Sequence, residues 1–160
     1  MHLVAPARAL LAFGAATLAV WLGAGRAASQ NPDLKPYSGK ATLAAGFGAP
    51  HRVKVAGGAA DEAAIRTDLG GVKAWVSDAP DFKLHYTAGS QPLTFQVLAK
   101  GDTTLLINGP GGKWFADDDG GKGTNPRVTF ANPKSGRYDV WVGSYKKQIE
   151  RGTLVISEKK

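Results

Sequence analysis

The sequence has 160 residues, no cysteine, and 20 Lys and Arg against 13 Asp and Glu, a formal net charge of +7. The lack of cysteine excludes thiol catalysis, disulfide bonds and cysteine-ligated zinc. The basic residues are spread along the chain, and the runs are limited to Lys146-Lys147 and Lys159-Lys160. This distribution predicts a mildly basic surface without a nucleic-acid partner, one that can attract anionic glycans or lipid headgroups weakly.

The first 27 residues have the pattern of an export signal. A basic region ends at Arg8, an uncharged and mostly apolar run covers residues 9–22, and small residues around Arg26 fit cleavage after Ala27. The run is shorter than the ~20 residues of a membrane-spanning helix, and an uncleaved anchor is the alternative. Removing residues 1–27 leaves 18 basic against 13 acidic residues, a net charge of +5. We therefore expect a periplasmic or secreted protein without a stable membrane span.

Residues 28–39 are polar, contain Pro32 and Pro36, and are interpreted as a linker or an ordered lead-in. From residue 40 to 160 apolar and polar residues alternate in short segments separated by Gly and Pro, the pattern of half-buried strands in one domain. Residues 59–69 alone show helical propensity, over too short a length to be stable without packing. The chain therefore predicts an all-β fold, an antiparallel β-sandwich or jelly roll of about eight to nine strands.

The second half of the chain resembles a known family. It reads DTTLLINGPGGKWFADDDGG, then NPRV, then SGRYDVWVGSY. An Asp-Thr-x-Leu strand, a Gly-containing turn, an acidic loop and a Ser-Gly-x-Tyr strand ending in Val-Gly resemble the bacterial pre-peptidase C-terminal domain, over about residues 90–157. With APDFKLHYTAG, the likeness extends to small exported proteobacterial proteins built as one such domain. The resemblance implies a jelly-roll accessory module of secreted enzymes, with calcium and matrix ligands bound by some relatives.

The acidic loop is the sharpest candidate site. On an extended backbone Asp117 and Asp119 point to the same side, and the glycines that follow let the loop curl. Calcium takes about six to eight oxygen ligands from carboxylates, carbonyls and water. Asp117, Asp119 and the side chain of Asn125 are therefore candidate calcium ligands. The alternative is a turn in which the first aspartate binds backbone amides and the others are solvated.

Aromatic side chains form the other candidate binding surface. The set comprises Trp75, Trp114, Tyr138, Trp141 and Tyr145. Tyr138 shares a strand face with two valines, and this face is predicted to be core, which leaves Trp141 on the opposite face, either under a neighbouring loop or partly exposed. Trp141 and Tyr145 are therefore the candidate binding residues. The alternative is that these rings fill the core or cover a sheet edge.

Little in the chain predicts catalysis. After the signal the histidines are His51 and His85, and no serine lies in a Gly-x-Ser-x-Gly elbow. We therefore predict a monomeric, non-catalytic binding or accessory module of the cell envelope, with a protein or glycan ligand and with calcium stabilising the acidic loop. The alternatives are a small secreted, peptidase-like hydrolase, and a structural envelope protein whose sheet edges pair with a partner strand.

Overall fold

The computed structural model describes residues 30–59, 65–69 and 71–158, so the predicted export signal lies outside the described residues. The described part of the chain forms eleven strands in two sheets. Within these ranges there is no helix long and apolar enough to cross a membrane. The prediction of an all-β sandwich is confirmed, with eleven strands in the described residues instead of the eight to nine expected.

Seven strands form the larger sheet: β1 Lys40–Ala44, β3 Ile65–Leu69, β4 Val72–Val76, β5 Phe82–Thr87, β7 Thr103–Asn108, β8 Trp114–Asp117 and β10 Gly136–Ser144. Four strands form the smaller sheet: β2 His51–Gly58, β6 Leu93–Ala99, β9 Arg127–Phe130 and β11 Ile149–Ser157. Neighbouring strands are antiparallel, except that β1 pairs parallel with β5. In the smaller sheet the order is β2-β11-β6-β9, which places the last strand of the chain between β2 and β6.

The core lies between the sheets because each strand sends every second side chain inward. The prediction that Tyr138, Val140 and Val142 of β10 face the core is confirmed, since each is at most 1% exposed and belongs to the main cluster. Inward residues of the smaller sheet, among them Phe95 and Leu154, pack against them. The outward residues of β2, β6 and β11 are consequently left to form a surface.

One strand was not predicted. Ile65–Leu69 forms β3 at the edge of the larger sheet and pairs antiparallel with β4, although residues 59–69 were interpreted as the one stretch with helical propensity. Residues 60–64 of that stretch lie outside the described residues. Pairing with a neighbouring strand has overridden local propensity here, as tertiary context commonly does.

A buried aspartate joins β4 and β5 where both run along β10. β10 pairs with β5 through Gly136–Val140 and with β4 at Ser144, which leaves a gap between them. Asp81 fills the gap: its backbone amide donates to the carbonyl of Val140 (2.8 Å), and its Oδ2 accepts from the amide of Val142 (2.7 Å). Asp81 is 2% exposed, and this burial raises the pKa of its carboxyl group to about 7. The hydrogen bond from the amide of Val142 acts in the opposite direction and lowers the pKa, but its effect is smaller.

The predicted linker is hydrogen-bonded to the segment that contains Asp81. The backbone amide of Asn31 donates to Asp78 (2.8 Å), and the amide of Ser38 donates to the carbonyl of Asp81 (2.6 Å). An ion pair of 3.1 Å also joins Asp33 to Arg137 of β10. These contacts attach residues 30–39 to the outer side of the larger sheet.

Candidate functional site

Asp117 has a structural role in the acidic loop. It is the last residue of β8, and its Oδ2 accepts hydrogen bonds from the backbone amides of Gly120 and Arg127, both at 2.8 Å. The first bond closes the turn that follows β8. The second reaches the first residue of β9, which belongs to the other sheet. This is the alternative that the sequence left open, an aspartate that binds backbone amides.

The side chain of Asn125 is also fully engaged. Its Oδ1 accepts from the amide of Ala99 (2.9 Å) and the hydroxyl of Thr103 (3.1 Å), and its Nδ2 donates to the carbonyls of Ala99 (3.2 Å) and Lys122 (3.1 Å). An amide oxygen has two lone pairs, and both are occupied. Asn125 therefore fixes the loop against the end of β6 and has no free oxygen lone pair for a cation.

The remaining acids of this region do not complete a metal site. Burial raises the pKa of Asp102, and the nearby negative charges of Asp119 and Asp118 raise it further. These three carboxylates therefore interact electrostatically. Nevertheless, among the described residues no group of three or more His, Cys, Asp or Glu is arranged to hold a metal ion. The calcium that the family resemblance implies does not fit the predicted set of Asp117, Asp119 and Asn125.

The prediction that Trp141 is a binding residue is wrong. Its side chain is 0% exposed and lies in a second apolar cluster on the outer side of the larger sheet, 5.1 Å from the ring of Trp114. Its Nε1 donates to the carbonyl of Asp78 (3.3 Å), so the segment between β4 and β5 covers it. Tyr145, the other candidate, is 53% exposed and is available to a ligand.

The histidines do not form a catalytic pair with a serine. His51 packs its ring on Phe82 at 5.6 Å between centroids, and His85 lies exposed on β5 opposite Arg137 of β10. Within the described ranges neither imidazole has a serine hydroxyl as a hydrogen-bond partner.

A basic groove, not predicted from the sequence, lies on the outer face of the smaller sheet. It has a volume of about 990 Å³ and is lined by four cations, Lys54, Lys100, Lys122 and Arg151. No acidic residue is among the described residues that line it. We call this surface the basic groove. Arg52 and Arg127 extend the positive charge along the same face, since they lie exposed at outward positions of β2 and β9.

Strand register brings the groove cations together. Lys54 of β2 is opposite Thr153 of β11, and Thr153 is opposite Leu98 of β6. Arg151 precedes Thr153 by two residues and is thus a diagonal neighbour of Lys54, with Cα atoms about 7–8 Å apart. Lys100 follows Leu98 by two residues and comes next to Arg151. The Nζ of Lys54 donates to the hydroxyl of Thr153 (3.2 Å), so the chain offers it a neutral partner there.

Asn125 lines this groove and also fixes its neighbours in place. Its Nδ2 holds the carbonyl of Lys122, and its amide group binds both backbone groups of Ala99, the residue before Lys100. The loop that carries Lys122 is thereby fixed beside the end of β6. A residue predicted as a metal ligand instead holds one wall of the basic groove in place.

The solved structures that are similar to this chain include a pre-peptidase C-terminal domain and a lysozyme inhibitor. No protein-family model matches this chain, and no curated protein does. The pre-peptidase C-terminal domain of a collagenase from Bacillus anthracis is 13% identical with a TM-score of 0.45, over 78% of this chain and 100% of that one. The PliG protein of Aeromonas hydrophila, a periplasmic inhibitor of g-type lysozyme, is 14% identical with a TM-score of 0.37, over 74% of this chain and 96% of that one. The first is the kind of domain that the sequence resembles.

Proposed function

We propose that this protein is a non-catalytic, exported binding module of the cell envelope that holds an anionic partner in the basic groove. The observation that carries the proposal is the set of four groove cations with no acidic residue among the described lining residues. Surface lysines and arginines are ordinarily interspersed with acids. A groove lined by one sign of charge attracts ligands of the other sign and raises their local concentration.

The free state of the cations supports the same proposal. Lys83 and Arg137, on the larger sheet, form ion pairs with aspartates. Among the described residues no such pair involves Lys54, Lys100, Lys122 or Arg151. An anionic ligand would therefore gain charge-assisted hydrogen bonds without first displacing an internal carboxylate. Export rests on the signal pattern of residues 1–27, and calcium is not part of the proposal.

Retention on an envelope fraction tests the binding role. We expect the mature chain to sediment with washed envelope material at low salt and to be released as salt screens its charges. The double variant Lys54→Gln/Arg151→Gln should lose retention. The matched control Lys40→Gln/Lys73→Gln removes the same charge from exposed positions of the larger sheet and should be retained. Equal retention of both variants would reject the groove as the binding surface.

The hydrolase alternative is tested separately. We expect His51→Ala and His85→Ala to leave envelope retention unchanged, because neither histidine lines the groove. Purified protein should also release no product from casein or from envelope peptides above the level of the double histidine variant. An activity that disappears with either histidine would establish catalysis and overturn the non-catalytic assignment.

A further inference from the structure

We infer that the basic groove binds a linear acidic polysaccharide, with Lys54, Arg151, Lys100 and Lys122 as its charged contacts. The inference rests on the proposed function and names its ligand class. Its starting point is the arrangement of the cations, which follow one another across neighbouring strands. From β2 to β11 to β6 and on to the loop, each successive cation lies one strand further across the sheet. Such a series of charges fits a chain whose acidic groups repeat along its length.

The neutral part of the groove suits sugars. Beside the cations, in the same cross-strand row as Lys54, lie the hydroxyl of Thr153 and the aliphatic side chain of Leu98, which is 40% exposed. A hydroxyl donates and accepts hydrogen bonds, as sugar hydroxyls do, and an aliphatic surface can cover the C–H face of a sugar ring. Thr153 and Leu98 thus match a ligand that alternates polar and apolar surface.

Nucleic acids match this groove poorly. Proteins that bind single strands stack bases on aromatic side chains, and no aromatic residue is among the described residues that line the groove. Reading a duplex requires a helix or a two-stranded ribbon that enters a DNA groove. Here the cations lie on the face of a four-stranded sheet, which is too wide to enter one.

A bilayer surface matches poorly as well. Interfacial binding combines basic residues with large apolar side chains that enter the headgroup region. The lining of the groove exposes only Leu98 among the large hydrophobic residues that the structure describes. The other large exposed hydrophobic residues do not line the groove: Phe115 and Tyr145 are outside the strands of this sheet, and Ile149 is on the same face of β11, two residues before Arg151.

The groove is also pre-shaped on the loop side. Lys122 and Lys100 belong to different loops, and ordering both on binding would oppose affinity. The four hydrogen bonds of Asn125 fix these two loops together before any ligand arrives. Asn125 is thus a positioning residue of the site, and it needs no contact with the ligand.

The experiment measures binding of polygalacturonate fragments and of the same fragments after methyl esterification, which keeps the backbone and removes the charge. We expect the mature chain to bind the acidic form and not the ester. Lys54→Gln/Arg151→Gln should weaken binding by about tenfold or more, because two charge-assisted contacts are lost. Lys40→Gln/Lys73→Gln should stay within about twofold, the effect of net charge alone. Thermal melts of both variants confirm that they are folded.

Several outcomes would overturn the inference. Equal binding of the ester would show that acidic groups are not recognised, and equal weakening of both variants would show an effect of net charge only. Duplex DNA and vesicles containing phosphatidylglycerol are tested in the same way. If either binds more tightly than polygalacturonate and depends equally on Lys54 and Arg151, the ligand of the groove is that polyanion and not a polysaccharide. If groove variants lose envelope retention while polygalacturonate does not bind, the polysaccharide is wrong and the binding role stands. If the groove variants are retained on the envelope fraction as well as the wild type is, the proposed function itself is wrong.

Discussion

The carboxylate of Asp117 accepts a hydrogen bond of 2.8 Å from the backbone amide of Arg127, and this bond connects the two sheets of the sandwich. Asp117 ends β8 in the larger sheet, and Arg127 begins β9 in the smaller one. Next to this bond the rings of Phe115 and Phe130, from the same two strands, meet edge to face at 4.8 Å. The acidic loop therefore closes one open side of the sandwich.

Replacing Asp117 should destabilise the fold. Asp117→Ala removes the acceptor for the amides of both Gly120 and Arg127. Hydrogen bonds to charged groups contribute about 1.5–3 kcal/mol each, and the partial exposure of Asp117 reduces their sum, so we expect the free energy of unfolding to fall by about 2–4 kcal/mol. Urea unfolding measures it. Asp119→Ala, in the same loop and exposed, is the matched control, and an equal loss in both variants would contradict the role of Asp117.

Calcium should leave stability unchanged. A ligand that binds only the folded state raises the free energy of unfolding. The predicted ligand set does not fit a cation, because the side-chain oxygen of Asn125 accepts hydrogen bonds from Ala99 and Thr103 and Oδ2 of Asp117 accepts two from backbone amides. We therefore expect the same melting temperature in calcium and in EGTA. A melting temperature that is higher in calcium than in EGTA for the wild type, but not for Asp119→Ala, would instead establish a metal site in this loop.

Stability should fall as pH rises towards neutrality because of Asp81. Its pKa is 3.8 as an ordinary side chain and about 7 in the fold. A raised pKa means that the folded state binds the proton more tightly, so the contribution is full below about pH 4 and is lost as pH rises through about 7. The difference corresponds to a loss on the order of 4 kcal/mol.

The variant Asp81→Asn isolates this effect. Its amide oxygen can still accept from the backbone amide of Val142 and has no proton to lose in this range. We expect urea unfolding from pH 4 to pH 8 to show wild type losing stability relative to the variant. A constant difference between the two proteins across that range would show that Asp81 does not titrate there.

Two aromatic substitutions should differ strongly in how much they lower the free energy of unfolding. Trp141→Ala removes a fully buried ring and its bond to Asp78, and large-to-small changes of aromatic core residues cost about 3–5 kcal/mol. Tyr145→Ala removes a ring that is 53% exposed, and changes of this kind usually stay within about 0.5 kcal/mol. Chemical denaturation of both variants measures the contrast. Envelope retention of Tyr145→Ala then tests the predicted role of Tyr145 in binding, and unchanged retention would remove it.

Local patterns predicted the strands well because alternation is a property of neighbouring residues. Tyr138, Val140 and Val142 face the core for that reason. The sequence left Trp141 either under a neighbouring loop or partly exposed, because the alternating pattern cannot show that the segment before β5 covers the outer face of β10. β3 was missed because its pairing with β4 outweighs a helical composition.

The basic groove could not be predicted from spacing. Lys54 and Arg151 are 97 positions apart and become neighbours only through the register of β2 with β11. Nothing in either segment marks it as part of a site, since a single exposed cation is ordinary on an outward strand position. A partial signal was present: the outward positions of β2 are Arg52, Lys54 and Ala56, with no acid among them.

The place of β11 also affects when the protein can finish folding. β2 and β6 each form a ladder with β11, and they have none with each other. Before β11 is in place, β2 has no partner in the smaller sheet, and β6 can pair only with β9. Completion of the smaller sheet, and with it the basic groove, therefore requires β11, which supplies Arg151 and joins β2 to β6.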